Sequence, residues 1–178
     1  MKSYRSYARK GFTLVEILIV VIILGILAAI VIPQFTNASQ DARKNSLTSQ
    51  LQTMRSQVEL YKLQHLDQLP PALIGGGDGA VAWAEMTVKT DADHTPNAAG
   101  LYGPYLQAPP VNPLNGSDDI GVTANTADFG SGAGAQANPG VATDGFLINP
   151  VTGKIWATSA KGGFVYNEGD ASDPNNDL

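Results

Sequence analysis

The chain has 178 residues, no cysteine, and 11 basic against 16 acidic side chains, which gives a formal net charge of −5. The lack of cysteine excludes disulfides, thiolate catalysis and cysteine-ligated zinc or iron–sulfur sites. The acidic balance argues against nucleic acid as a partner, because phosphate binding relies on clustered Lys and Arg.

A short basic leader, residues 1–11, opens the chain. It carries four of the 11 basic side chains and no acidic one. The rest of the chain is therefore strongly acidic, with 7 basic and 16 acidic side chains.

An apolar segment, residues 12–33, follows the leader. Between Ile17 and Ile32 no side chain is polar, and 13 of these 16 residues are Ile, Leu or Val. These 13 contribute about −4 to −8 kcal/mol to membrane insertion, against up to ~3 kcal/mol for the one carboxyl group of the segment. The 21 residues from Phe12 to Ile32 are about 31 Å long as a helix, which matches a bilayer core. A single transmembrane helix is predicted.

The distribution of charge predicts the orientation of this span. No basic residue follows the leader until Arg43, so the N-terminus is predicted inside and everything after residue 34 outside. An ordinary cleaved secretory signal is the alternative. It fits poorly, because the best small-x-small site, Thr36-Asn37-Ala38, is weak and lies beyond Pro33.

Glu16 is the one ionisable residue of the apolar segment. Acids inside a membrane span are functional candidates, because an uncompensated charge there is costly. From position alone a second interpretation stays open, in which Glu16 lies near the helix end and its side chain reaches the lipid headgroups.

The string KGFTLVEILIVVIILGILAAIVIPQF resembles the signal of type IV pilins and type II secretion pseudopilins. The matching features are the basic leader ending at Gly11, the aromatic Phe12, Glu16, Gly25 and Pro33. The resemblance implies cleavage between Gly11 and Phe12 by a prepilin peptidase on the cytoplasmic side, followed by N-methylation of Phe12. It also implies that Glu16 pairs with the N-terminal amine of a neighbouring subunit during assembly.

Gly25 and Pro33 have two interpretations, and both stay open. Glycine is common in membrane helices, and proline often ends one. The resemblance implies instead that the helix between them loses hydrogen bonds when the subunit leaves the bilayer for a filament. Gly25 and Ala29 also form a small-xxx-small pair that permits close helix approach.

Residues 34–69 are predicted to extend the helix as an amphipathic segment. There is no glycine or proline from Gln34 to Leu66, and apolar residues recur at alternating spacings of four and three. They are Leu47, Leu51, Met54, Val58 and Tyr61. This stripe is predicted to form the core of a small globular body, and Pro70-Pro71 to stop the helix.

Residues 70–178 are predicted to form a small glycine-rich head. Residues 75–178 hold 17 of the 19 glycines, and residues 117–144 contain no Lys or Arg, which is typical of loops. Residues 145–149 and 154–158 flank Pro150-Val151-Thr152-Gly153 and predict a β-hairpin. A third strand is predicted at residues 163–166.

The segment from Gly103 to Gly116 resembles the "YL…P…DP.G" region of major pseudopilins. Asn112 stands where an acid is usual in that family, and Leu114 where a tryptophan is usual. In lacking cysteine the chain also resembles pseudopilins more than surface type IV pilins, because many surface type IV pilins close their C-terminal loop with a disulfide.

The resemblance also suggests calcium, which pseudopilins of this kind carry in a C-terminal loop. Asp170, Asp173 and Asp177 supply oxygen ligands of the type that Ca²⁺ prefers. Their spacing does not match an EF-hand, and an acidic frayed tail is the alternative. No other cofactor is predicted.

Signatures of catalysis are missing from the sequence. There is no G-x-S-x-G elbow, and His65 and His94, at a helix end and in a polar loop, are expected to be solvated. The glycines between Gly75 and Gly79 lack the lysine of a phosphate-binding loop and predict a flexible turn. We predict no enzymatic activity.

Taken with the resemblance, these observations predict an α+β, type IV pilin-like fold: a long N-terminal transmembrane helix and a small antiparallel β head. The expected function is a structural subunit, cleaved, methylated and polymerised, with a type II secretion pseudopilus favoured. A surface type IV pilus subunit and a non-polymerising, signal-anchored periplasmic binding module are the alternatives. The expected partners are copies of itself, other pilin-like subunits, prepilin peptidase, an inner-membrane assembly platform and membrane lipids.

Overall fold

The structure, a computed structural model, describes residues 11–123, 143–159 and 164–169. One long helix, α1 (Leu14–Gln64), is followed by three short ones, α2 (Pro71–Gly75), α3 (Gly79–Ala82) and α4 (Ala84–Thr87). Three strands complete the described part: β1 (Ile120–Val122), β2 (Phe146–Ile148) and β3 (Ile155–Ala157). An α+β fold is confirmed, whereas the short helices α2 to α4 were not predicted.

The chain divides into two units, one ending at Ser39 and the other beginning at Gln40. In the first unit, residues 11–39 are all exposed. The 13 Ile, Leu and Val side chains from Ile17 to Ile32 are each 48% to 64% exposed. α1 is the one described helix long and apolar enough to cross a membrane.

The second unit has its core along the predicted stripe of α1. All five stripe residues are at most 1% exposed. They form one cluster with Leu73, Trp83 and Met86 from the short helices and with Phe146, Ile148 and Ile155 from the sheet. The interpretation of the stripe as core is therefore correct, because burying one face of a helix requires an apolar side chain at every turn.

The sheet has the order β1-β2-β3. β2 and β3 are antiparallel, with Leu147 opposite Trp156, so the hairpin is confirmed. Its turn is closed by Gly153, whose N–H donates to the Asn149 carbonyl at 2.8 Å. Gly153 has φ +74°, a conformation that glycine adopts without strain.

The strand β1 corrects the expectation of a purely antiparallel head, because it pairs with β2 in parallel. A parallel pair needs a long connection, and residues 123–145 supply one. The predicted third strand is reduced to an isolated antiparallel bridge between Thr158 and Val165.

His65 is a second correction. It was expected to be solvated, but it is 1% exposed. It lies just beyond α1, where Asp91 and Tyr102 of the following loop cover it. His94 is partly buried beside it, with ring centroids 4.9 Å apart.

Asn112 stands where the resemblance leads one to expect an acid, and the structure gives a physical reason for the amide. Asn112 is fully buried, and its Nδ2 donates to the carbonyl oxygens of Gly145 at 2.7 Å and Thr158 at 2.9 Å. Its Oδ1 accepts from the N–H of Leu114 at 2.9 Å. A carboxylate has no N–H to give, so it would face two carbonyl oxygens without a donor. Leu114, at the usual tryptophan position, lies in the core and is 5% exposed.

Arg55 connects α1 to the end of the described chain. Its guanidinium donates to both carboxylate oxygens of Glu168, at 2.9 and 2.5 Å. It also donates to the Ile155 carbonyl at 3.0 and 2.6 Å. This forked contact fixes geometry, which a lysine cannot do.

We predict that Asn112→Asp lowers the free energy of unfolding by about 3 kcal/mol, because a buried donor is replaced by a charge facing carbonyl oxygens. Denaturant unfolding of the full chain in detergent micelles measures this loss. Asn45→Asp, on an exposed position of α1, makes the same chemical change and is expected to cost less than about 0.5 kcal/mol. Equal losses in the two variants would contradict the role given to Asn112.

We also predict a coupling free energy of roughly 1 to 2 kcal/mol between Arg55 and Glu168 in a double-mutant cycle with Arg55→Ala and Glu168→Ala. Partial exposure of both side chains, 34% and 22%, keeps the expected value moderate. Arg55→Lys keeps the charge without the fork and is expected to recover less than half of the coupling. Full recovery by lysine would show that charge alone is responsible.

Candidate functional site

The beginning of α1 is the candidate site, because it gathers the residues that the sequence singled out. Residues 11–13 lie outside the helix, which begins at Leu14. The Gly11–Phe12 peptide bond is therefore non-helical. The Phe12 side chain is 83% exposed.

Thr13 and Glu16 cap the helix reciprocally. The Glu16 carboxylate accepts from the Thr13 N–H at 2.8 Å and from the Thr13 hydroxyl at 2.7 Å. In return, the Glu16 N–H donates to Thr13 Oγ1 at 3.2 Å. This arrangement is a capping box, in which two otherwise unpaired N–H groups of a helix start are satisfied by side chains.

The capping box gives Glu16 an intramolecular role that the sequence analysis missed. The T-x-x-E pattern of residues 13–16 is its signal, and it was available in the sequence. Both hydrogen bonds from Thr13 end at Oε2 and neither uses Oε1. A carboxylate has about four acceptor positions, so Glu16 can cap its own helix and accept from a further donor at once.

Gly25 and Pro33 both lie inside α1. A methyl group at Gly25 would meet no atom within 4 Å, so this position is open on the helix surface. Pro33 does not end the helix, which continues to Gln64. Proline has no N–H to donate, so the Ala29 carbonyl lacks its usual intrahelical partner. Their roles in helix flexibility stay predictions.

The aspartates proposed for calcium, Asp170, Asp173 and Asp177, lie outside the described residues, as does the leader up to residue 10. Across 11–123, 143–159 and 164–169, no group of three or more His, Asp or Glu side chains is arranged to hold a metal ion. Calcium binding therefore stays a prediction.

Asp119 and Asp144, which lie next to β1 and β2 in the chain, interact with each other without forming such a group. Burial raises the pKa of Asp144, and the nearby Asp119 carboxylate raises it further. Asp119 accepts from the Gly79 N–H at 3.0 Å. These contacts are structural, since Asp119 fixes the start of α3.

Comparison with known proteins points to the same end of the chain. A family model described as the prokaryotic N-terminal methylation motif matches residues 7–32. The type II secretion system core protein G of Dickeya chrysanthemi is 39% identical over 57 residues, 32% of this chain and 37% of that protein. The chain thus spans well under half the length of this relative.

A second kind of relative covers more of the chain. The type IV major fimbrial protein FimA of Dichelobacter nodosus is 33% identical over 131 residues, 74% of this chain and 78% of that protein. Because the match covers 131 residues, it cannot be confined to residues 1–39 and must include part of the second unit. No solved structure shows a significant match.

Proposed function

The chain belongs to the type IV pilin family, and we propose from this that it is made as a precursor, cleaved, N-methylated and polymerised into the pseudopilus of a type II secretion system. The observation that carries the proposal is the apolar part of α1, which has no cover from the described residues of its own chain. That surface requires lipid before assembly and other subunits afterwards. Such a subunit acts through its packing and has no enzymatic activity.

Processing is supported by the position of the cleavage bond. The leader keeps four positive charges directly before Gly11, which holds this end at the cytoplasmic surface and places the second unit outside. The Gly11–Phe12 bond lies two residues before the helix and is free to adopt the extended form that a peptidase binds. The proposed partners are prepilin peptidase, membrane lipids and an assembly platform.

Assembly is supported by the chemistry of Glu16. Cleavage creates a positive amine at Phe12, and Glu16 carries the one negative charge of the apolar segment. A charge in a low-dielectric bundle is stabilised only by a close opposite charge, so the amine of one subunit and Glu16 of its neighbour favour a single axial register. Glu16 can accept this partner while keeping its capping bonds, because those bonds leave Oε1 unused.

A surface type IV pilus is the second candidate function. The observation in its favour is the length of the match to the fimbrial protein, which covers 78% of that relative. In that case the filament would serve adhesion or motility. The two candidates share the processing and assembly steps and differ in what depends on the filament.

We predict that the protein isolated from its native host begins at methylated Phe12, as read by intact mass. Deletion of its gene is expected to leave exported proteins in the periplasm without loss of surface fibres. Loss of fibres with normal secretion would favour the pilus. A protein that begins at Met1 and stays monomeric would contradict both and indicate a signal-anchored binding module.

We further predict that Glu16→Gln reduces filament yield by about tenfold or more, because a lost charge pair worth ~1.4 kcal/mol changes an equilibrium tenfold. Glutamine is also a capping-box residue, so this variant keeps the helix start and removes only the charge. The matched control is Thr13→Ala, which weakens the cap and keeps the charge.

Filament yield is measured by electron microscopy and shearing, and membrane insertion by carbonate extraction. We expect Thr13→Ala to assemble within about fivefold of wild type, since an N-cap is typically worth ~1 kcal/mol. Normal yield from Glu16→Gln would refute charge pairing, and a larger loss from Thr13→Ala would assign Glu16 to capping alone.

A further inference from the structure

The two histidines of the chain lie together at the C-terminal end of α1. His65 directly follows the helix, and its ring stacks on Tyr61 with centroids 3.9 Å apart. The His94 ring stacks beside both, with its centroid 4.9 Å from that of His65 and 5.7 Å from that of Tyr61. His94 belongs to the segment from Lys89 to Tyr105, called here the 89–105 segment.

The histidine rings connect the 89–105 segment to the end of α1. His65 Nε2 lies 3.1 Å from both the Asp91 carbonyl oxygen and the Thr90 hydroxyl. His94 reaches back with Nδ1 to the Tyr61 hydroxyl at 2.7 Å and with Nε2 to Gln68 Oε1 at 2.8 Å. Tyr105 adds a third connection, donating from its hydroxyl to Gln64 Oε1 at 2.6 Å.

The contacts of His94 fit a neutral ring, with its tautomer assigned from the hydrogen-bond partners. Gln68 Oε1 can only accept, so Nε2 of His94 carries the proton and Nδ1 accepts from the Tyr61 hydroxyl. In His65 both ring nitrogens face backbone carbonyl oxygens, Nδ1 that of Tyr61 at 3.0 Å and Nε2 that of Asp91 at 3.1 Å, and Nε2 also lies 3.1 Å from the Thr90 hydroxyl. The neutral His94 ring then has one donor and one acceptor in use.

Charged and titratable groups surround the pair on every side. α1 contributes Tyr61, and α4 contributes Glu85, whose carboxylate accepts from the Ala72 N–H at 2.9 Å. The 89–105 segment contributes Asp91, Asp93, Tyr102 and Tyr105. Lys62 and Asp67, at the same helix end, pair with each other at 3.6 Å.

We propose that His65 and His94 form an acid-sensitive clasp that holds the 89–105 segment on α1 while His94 is neutral and releases it when His94 takes up a proton. A proton on Nδ1 turns an acceptor into a donor. The Tyr61 hydroxyl, in a fully buried side chain, then loses the acceptor for its hydrogen. The new charge on the His94 ring also lies close to His65, since the two ring centroids are 4.9 Å apart.

The sign of the pH dependence follows from His94. Burial lowers its pKa below the ordinary value of 6.5, the neighbouring His65 lowers it further, and Asp93 opposes the shift. Below pH 6.5 the released segment therefore binds more protons than the closed one. The closed position of the 89–105 segment on α1 loses stability as the pH falls from 6.5 to the lowered pKa of His94, and its stability is unaffected above pH 6.5.

The titration of Glu85 changes the stability of the closed segment with pH in the opposite direction. Burial raises its pKa, although the Ala72 N–H and His65 oppose the shift. A raised pKa gives a contribution that is present at low pH and lost as the pH rises. Glu85→Gln is therefore expected to steepen the acid release, since it removes the one opposing buried carboxyl group and leaves His94 unchanged.

Hydrogen–deuterium exchange of the full chain in detergent micelles tests the clasp, with rates corrected for intrinsic pH effects. Between about pH 7.5 and about pH 5, exchange in residues 89–105 is expected to rise by up to about tenfold per pH unit below the ordinary histidine pKa. Exchange in β2 and β3 is expected to stay constant. Equal acceleration in the sheet, or none in the segment, would overturn the proposal.

Two variants make the result specific to His94. His94→Asn does not titrate and tolerates the positive φ of 69° at this position, so its segment is expected to exchange equally at both pH values. Asp93→Asn keeps the histidine and removes a carboxylate that favours its cation, so the midpoint of release is expected to move to lower pH. The proton NMR signals of the two rings give that midpoint independently of stability. An unchanged pH response in His94→Asn, or a midpoint that rises in Asp93→Asn, would refute the clasp.

Discussion

An apolar helix surface that no described residue of the same chain covers is the constraint on which the rest of this molecule depends. The 13 Ile, Leu and Val side chains between Ile17 and Ile32 are about half exposed, the value of a helix that touches nothing on any side. At roughly 25 cal/mol per Å² of apolar surface, leaving such a segment in water is strongly unfavourable. It must be surrounded by lipid or by other helices, and the proposed membrane and filament stages both meet that requirement.

The second half of α1 has apolar residues on one face only. One stripe is buried, and the face away from it carries Ser, Thr, Gln and Asn. Several of those hydroxyls donate to the carbonyl four residues back, as Thr53 does to Ser49 and Ser56 to Gln52. A single helix thus changes from one that is apolar all round to one that is amphipathic, and among the described residues only the amphipathic part packs into a core.

Local patterns predicted much of this fold from the sequence. The apolar stripe from Leu47 to Tyr61 follows helical periodicity, and the hairpin around Pro150–Gly153 contains a turn sequence. The structure has both. The parallel β1, the burial of His65 and the Arg55–Glu168 pair were not predicted, because each depends on residues far apart in the chain. Arg55 and Glu168 are 113 positions apart, and no spacing rule connects them. At the candidate site, the T-x-x-E pattern of residues 13–16 was visible but was interpreted only as part of a family signature.

The capping box also sets where the rigid part of the chain begins. A peptidase must draw its substrate into an extended conformation, and a bond within a helix would first have to be unwound. By fixing the helix start at Leu14, Thr13 and Glu16 leave a single non-helical residue, Phe12, between the cap and the proposed cleavage site, the Gly11–Phe12 bond. If that bond is cleaved as proposed, the same two side chains keep it outside the helix, because a helix that began one turn earlier would include it.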